Sequence, residues 1–173
     1  MARPRKGTDA AGRDLDGILR GLVGIEPAAV ESGPAPYESR RSLIEPKQLA
    51  AFAAHLAEAK KGVDITVYDV NEHIKIASYF VVVTGLSRPH VQAITNEIHT
   101  RLKEFGERHT KAEGADLGWW VLLDFADVVV HVLQPEARQY YALDQLYAEC
   151  PILDVDSIAL PSLAEPRAAR AAE

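Results

Sequence analysis

Two periods of apolar residues alternate between residues 46 and 151, and each switch of period marks a new element. Leu49, Phe52, Ala53 and Leu56 recur at helical spacing behind Pro46, which suits the first turn of a helix. Lys60 and Lys61 favour the negative end of that helix, and Gly62 is expected to supply its left-handed stop. DITVYDV (residues 64–70) is rich in β-branched side chains and reads as a strand. YFVVVT (residues 79–84) is apolar on both faces and predicts a strand inside a sheet. Gly85 ends it and Ser87 is placed to cap a helix. Val91, Ile94, Ile98, Leu102 and Phe105 then mark one face through about four turns. WVLLDFADVVVHVL (residues 120–133) predicts a hairpin with its tight turn around Asp124 and Asp127. A last helix is expected from Pro135 through Tyr147, with Pro151 closing the domain. The order α-β-β-α-β-β-α defines an α/β fold, a mixed β-sheet with flanking helices.

The ends of the chain read differently. Residues 1–44 carry Gly7, Gly12, Gly17, Gly21, Gly24 and Gly33, and their one apolar stretch, LDGILRGLVGI, is interrupted by glycine. They predict a largely disordered extension, residues 45–151 a folded domain, and residues 152–173 a tail. No apolar run approaches the roughly 20 residues that cross a bilayer, so no membrane association is expected. The first residues lack the apolar core of a signal peptide. The single cysteine, Cys150, allows no intrachain disulfide and too few ligands for a cysteine-based zinc site. A reducing, cytoplasmic setting is expected.

Charge sharpens this division. The net charge is −6, and residues 45–150 hold 10 basic and 15 acidic side chains, −5 in total. A domain built to grip phosphates needs the opposite balance, so no direct nucleic-acid specificity is expected. An acidic surface suits a basic protein partner, although −5 alone also serves solubility.

The search for chemistry finds no catalytic set. Asp-x-Asp pairs occur at Asp14/Asp16 and Asp154/Asp156, outside the predicted core elements. Asp124 and Asp127 flank a turn, where aspartate ordinarily accepts backbone N–H bonds. Gly85-Leu86-Ser87, with Arg88 and His90 beside it, opens a helix that could take an anion, but a plain serine cap is the commoner reading. No phosphate-cradling glycine motif and no nucleophile elbow is present. His131 interrupts the strand VVVHVL without an identifiable partner. No catalytic, metal or cofactor site is predicted. What remains is an aromatic excess over residues 119–147. Trp119 and Trp120 are adjacent, so on a strand they point to opposite faces. Tyr140, Leu143 and Tyr147 form a stripe on the expected last helix. Tryptophan and tyrosine anchor interfaces because they bury much area at low entropic cost, so at least one of the set is expected to face outward.

Three blocks carry a family resemblance over about residues 46–151. SYFVVVTGLSRPHVQAITNEI (residues 78–98), Glu113-Gly114 with WVLLDFADVVVHV (residues 120–132), and R-x-Y-Y-x-L-D-x-L-Y (residues 138–147) resemble the ribosomal silencing factors, or iojap family. The resemblance implies a nucleotidyltransferase-like fold without the catalytic carboxylates, and a regulator that is not an enzyme. It implies a partner, the large ribosomal subunit, bound through the basic universal protein numbered fourteen of the large-subunit series. Occupying that seat would block joining of the small subunit and repress translation under nutrient limitation. It also implies a homodimer off the ribosome. The expected partner-binding residues are Trp120, Phe125, Tyr141 and Leu143 as apolar anchors, Asp124 and Asp127 as acidic or turn-fixing members, and His131. The rival readings are a ribosome-assembly factor and a nucleotide-binding enzyme. Three departures stand out: Ser78 replaces the usual acidic residue, Tyr147 replaces the usual tryptophan, and Ala126 replaces a turn glycine. If that turn requires positive φ, alanine costs on the order of 1 kcal/mol there.

Overall fold

The computed structural model describes residues 44–107 and 111–161. The extension expected before residue 44 and the chain after residue 161 lie outside the described residues. Two compact units divide the chain. One comprises Ser42–Ala142 with Cys150–Glu173. The other joins Leu143–Glu149 to Met1–Arg41, and of it only the first piece is described.

In the larger unit the elements run α1 (Pro46–Ala59), β1 (Val63–Asp69), β2 (Tyr79–Thr84), α2 (Arg88–Glu104), β3 (Lys111–Glu113), β4 (Trp120–Asp124), β5 (Val128–Leu133) and α3 (Pro135–Tyr141). The sheet is mixed, in the order β1-β2-β5-β4-β3. Only the β2/β5 pair is parallel. The expected hairpin is present, with Trp120 opposite Leu133 and Asp124 opposite Val129. The short edge strand β3 was not expected, because KAE carries no apolar period; it pairs with β4 across Glu113 and Leu122.

One face of the sheet holds the main core. Val81 and Val83 of β2, Val121 and Leu123 of β4, and the valines at 128, 130 and 132 of β5 cluster with α1 and α2. The period of two selects them, since alternate strand residues share a face. Helix α1 adds small alanines at 50, 53 and 57, each fully buried. Phe52 and Phe105 meet edge-on at 5.2 Å where α1 passes the end of α2. The other face carries Tyr68, Phe80, Val82, Leu122, His131 and Leu133, also buried.

The helix stops follow backbone geometry more than composition. At the end of α1 the left-handed residue is Lys61 (φ 61), not Gly62 as expected. Gly62 N–H reaches back to Ala57 O at 2.9 Å and Lys61 N–H to Glu58 O at 2.8 Å, a Schellman turn shifted by one residue. Gly62 is required for room instead: a Cβ there would lie 2.8 Å from Val83 Cγ1. Helix α2 is capped as expected, with His90 N–H donating to Ser87 Oγ at 3.3 Å. The expected final helix is broken. Ala142 takes φ 49 and its N–H bonds Arg138 O, which ends α3. Just past Pro151 the chain runs along the outer edge of β1, where Ile152 bridges Tyr68 and Leu153 N–H bonds Val67 O. Covering an edge strand in this way removes a site of unwanted pairing.

In the smaller unit, α4 (Leu143–Leu146) is a single turn closed by Tyr147 N–H on Leu143 O at 3.0 Å. Leu143 and Tyr147 are buried, whereas Tyr140 is 73% exposed. The break at Ala142 therefore dissolves the stripe predicted for these three residues.

The hairpin turn meets the condition set by the sequence, since Ala126 sits at φ 69. Ala126→Gly should stabilise the protein by about 1 kcal/mol, read as a higher urea midpoint at unchanged slope. The opposite change at Gly114 should be severe. Gly114 lies at φ +77 and a Cβ would stand 1.9 Å from Trp120 O. Gly114→Ala should lower stability by at least about 3 kcal/mol, the combined scale of left-handed strain and a backbone clash.

Candidate functional site

The aromatic residues converge at the end of the sheet where β4 begins and β5 ends. Trp120 opens β4 and is half-buried. Its ring centroid lies 4.4 Å from that of Tyr141 on α3 and 5.7 Å from His131 on β5. Trp119 precedes the strand and is 39% exposed. It meets Tyr141 at 5.7 Å and Tyr140 at 6.1 Å. The alternation expected of two adjacent strand residues does not apply to the pair, because β4 begins only at Trp120. Tyr140 and Tyr141 themselves stack edge-to-face at 5.0 Å. Pairs of this kind add roughly 0.5–1.5 kcal/mol each beyond simple burial, so the cluster is a firm platform.

Helix α3 holds its half of the platform through Arg138. The Arg138 guanidinium donates to Thr84 Oγ1 at 2.9 Å and to Asp64 O at 2.5 Å, tying α3 to the end of β2 and the start of β1. Gln134 secures the other side, donating from its backbone to Trp119 O and from its side chain to Gly118 O. Leu117 is 76% exposed on the adjoining loop.

His131 lies beneath the platform and is 1% exposed. Trp120 Nε1–H donates to its Nδ1 at 3.3 Å. Phe80 approaches edge-on at 4.9 Å. With Nδ1 accepting, the proton of a neutral ring belongs on Nε2, and among the described residues Nε2 has no hydrogen-bond partner. Burial drives the imidazole pKa down from 6.5 to about 3, so the ring is uncharged near neutrality.

The structure therefore gathers Trp120, His131 and Tyr141 from the expected set. It keeps Asp124, Phe125 and Asp127 apart from them, at the opposite end of β4. Four residue steps at about 3.4 Å place the hairpin turn some 14 Å away. There Asp124 Oδ1 accepts Ala126 N–H at 2.8 Å, the turn-fixing role, and Asp127 O accepts the N–H groups of Ser78 and Tyr79. Phe125 is buried and belongs to the core cluster. Leu143 is buried in the smaller unit. Trp119 and Tyr140, both exposed, belong to the aromatic excess of residues 119–147 but not to the expected partner-binding set. Trp119 stands just before β4, and Tyr140 lies two residues before the break at Ala142, which the sequence does not signal.

The anion reading at the start of α2 loses its side chains to the fold. His90 Nδ1 accepts Leu86 N–H at 3.0 Å while its Nε2 bonds Lys60 O at 2.7 Å. Arg88 is turned onto Asp116 O. Among the described residues no group of three or more histidine, cysteine or acidic side chains is placed to hold a metal ion. No helix among them is long and apolar enough to cross a membrane.

Fold and site together define a mixed-sheet α/β domain that displays aromatic side chains at one end of its sheet. Residues 44–173 match the family described as "Ribosomal silencing factor during starvation" (RsfS), and the chain belongs to that family. A Bacillus subtilis protein named ribosomal silencing factor RsfS is 38% identical over 110 residues, covering 64% of this chain and 93% of its own length. A mouse protein named mitochondrial assembly of ribosomal large subunit protein 1 is 28% identical over 123 residues, covering 69% of this chain and 51% of its own. A crystal structure from Chromobacterium violaceum superposes with a TM-score of 0.59 at 35% identity, covering 61% of this chain and 88% of the other.

Burial of an uncharged His131 couples stability to pH. The unfolded histidine binds a proton below about pH 6.5, whereas the folded one does so only near 3. Stability is therefore present above pH 6.5 and falls as pH drops through that window. Between pH 7 and 4.5, urea unfolding should show about 2–3 kcal/mol of loss from this residue, absent in His131→Leu.

Proposed function

We propose that this protein binds the large ribosomal subunit through its universal protein fourteen and thereby blocks joining of the small subunit, lowering translation when nutrients are scarce. Family membership supports the ribosomal role. The observation that carries the choice of surface is the partly exposed cluster of Trp119, Trp120, Tyr140 and Tyr141. Aromatic side chains already fixed by one another lose little freedom when a partner covers them. The acidic balance of residues 45–150 suits a basic ribosomal protein.

The remaining expected residues fit one interface only if it is broad. A patch of roughly 800 Å² per partner is about 30 Å across, which exceeds the 14 Å or so between Trp120 and the hairpin turn. Asp124 and Asp127 then lie toward its rim. Buried Phe125 and His131 act from beneath, by shaping what is displayed; Leu143 is buried in the smaller unit. The mechanism requires affinity and bulk alone; no bond is made or broken, and no cofactor takes part. Cytoplasmic action and a homodimer off the ribosome belong to the same reading. The name of the mouse relative favours a second one, assistance in assembling the large subunit.

Purified protein added to intact ribosomes should shift a sucrose gradient toward free subunits and co-sediment with the large one. Tyr140→Ala, at an exposed position that leaves the fold unchanged, should weaken capture at least about fivefold, and Trp120→Ala about thirtyfold. Co-sedimentation with the small subunit alone would overturn the proposal. Accumulation of precursor ribosomal RNA in a deletion strain, with subunit joining unaffected, would establish the assembly reading instead.

A further inference from the structure

His131 is a residue whose chemistry the fold does not need. It stands in a run of valines at the centre of the sheet, between Leu122 on β4 and Val82 on β2. Valine or leucine would satisfy every requirement of that position. The imidazole instead buries an Nε2–H that has no acceptor among the described residues, which works against stability. What it gains is one polar contact, the hydrogen bond from Trp120 Nε1 to its Nδ1. Tryptophan has a single side-chain donor, so this bond commits all of its hydrogen-bonding capacity inward. Tyr141 meets the same ring at 4.4 Å. Trp120 is thus fixed by two neighbours, and what it leaves outward is carbon and π surface alone.

We infer that His131 is a positioning residue for Trp120, and that the tryptophan so held meets its partner through aliphatic and cationic side chains, not through a hydrogen-bond acceptor. The inference rests on the ribosome-binding reading above and specifies the chemistry of its contact. A saturated indole is a poor match for a carbonyl or carboxylate. It is a good match for the stems and heads of lysine and arginine, which pack on aromatic rings by dispersion and cation–π attraction. A basic partner surface supplies both, in keeping with the acidic balance of residues 45–150.

The free protein tests the first half. In ¹H–¹⁵N spectra, with the Trp120 indole assigned by Trp120→Phe, that proton should exchange slowly with solvent. The His131 ring should show Nε2 protonated and Nδ1 bare from pH 6 to 8. A fast-exchanging indole or the opposite tautomer overturns the assignment. Binding to isolated large subunits tests the second half. His131→Leu should retain a cooperative unfolding transition yet bind about five- to tenfold more weakly, while His131→Asn, which keeps an acceptor, should recover most of the loss. In a double-mutant cycle, His131→Leu should add no further loss in the Trp120→Phe background. Additive losses, or wild-type binding by His131→Leu with its indole proton exposed to exchange, would overturn the positioning role. If the wild-type protein fails to capture large subunits, the ribosome-binding reading falls, and with it the partner chemistry. The exchange measurement still decides the His131–Trp120 bond.

Discussion

Everything in the larger unit is arranged around β5, a strand with no exposed residue. It lies between β2 and β4, and all six of its residues, Val128 to Leu133, are buried. A strand in that position must satisfy its backbone on both sides and present hydrocarbon on both faces. Five of the six side chains do so. The valines at 128, 130 and 132 take one face and are packed by α1 and α2; Val129 and Leu133 take the other. His131 is the exception, and among the described residues its one hydrogen-bond partner is the residue that opens the neighbouring strand.

From that constraint the site follows in order. The hairpin places β4 against β5, so Trp120 falls opposite Leu133 and within reach of His131. Gly114 lets the preceding loop pass against the carbonyl of Trp120, a path closed to any residue with a Cβ. The chain leaving β5 turns at Gln134 into α3, and Arg138 ties that helix back to the opposite edge of the sheet. Tyr141 then meets Trp120, and Tyr140 and Trp119 complete the rim. An aromatic platform assembled from a strand, a loop and a short helix is therefore held by backbone and side-chain hydrogen bonds from Gln134, Arg138 and His131.

Non-glycine residues with positive φ recur where this chain turns, at Lys61, Ala126 and Ala142, and at Asp64 in the register shift of β1. Each is disfavoured locally and is imposed by what lies on either side of it. Lys61 ends α1 so that Gly62 can pass beneath Val83. Ala126 closes the hairpin, with Asp124 holding its N–H. Ala142 ends α3 just past the tyrosines of the platform. The family resemblance flagged Ala126, because a glycine is usual there; nothing marked Ala142, since alanine is the strongest helix former and sits inside an apparently continuous helical pattern.

The sequence by itself determined the family and every long element of the larger unit. Periods of two and 3.6 located β2, the hairpin and both long helices to within a residue or two, because a buried strand or helix face must repeat with its own geometry. Ser87 capped α2 where its chemistry placed it. Three blocks of motif carry the family. Only the tertiary structure decided which aromatic residues are displayed, that Trp120 and the hairpin turn occupy opposite ends of one strand, and that His131 is buried and bonded to an indole. Those properties depend on where α3 breaks and which side chains meet across the sheet. They are set by contacts between distant residues, and a one-dimensional pattern of apolar and polar positions does not carry them.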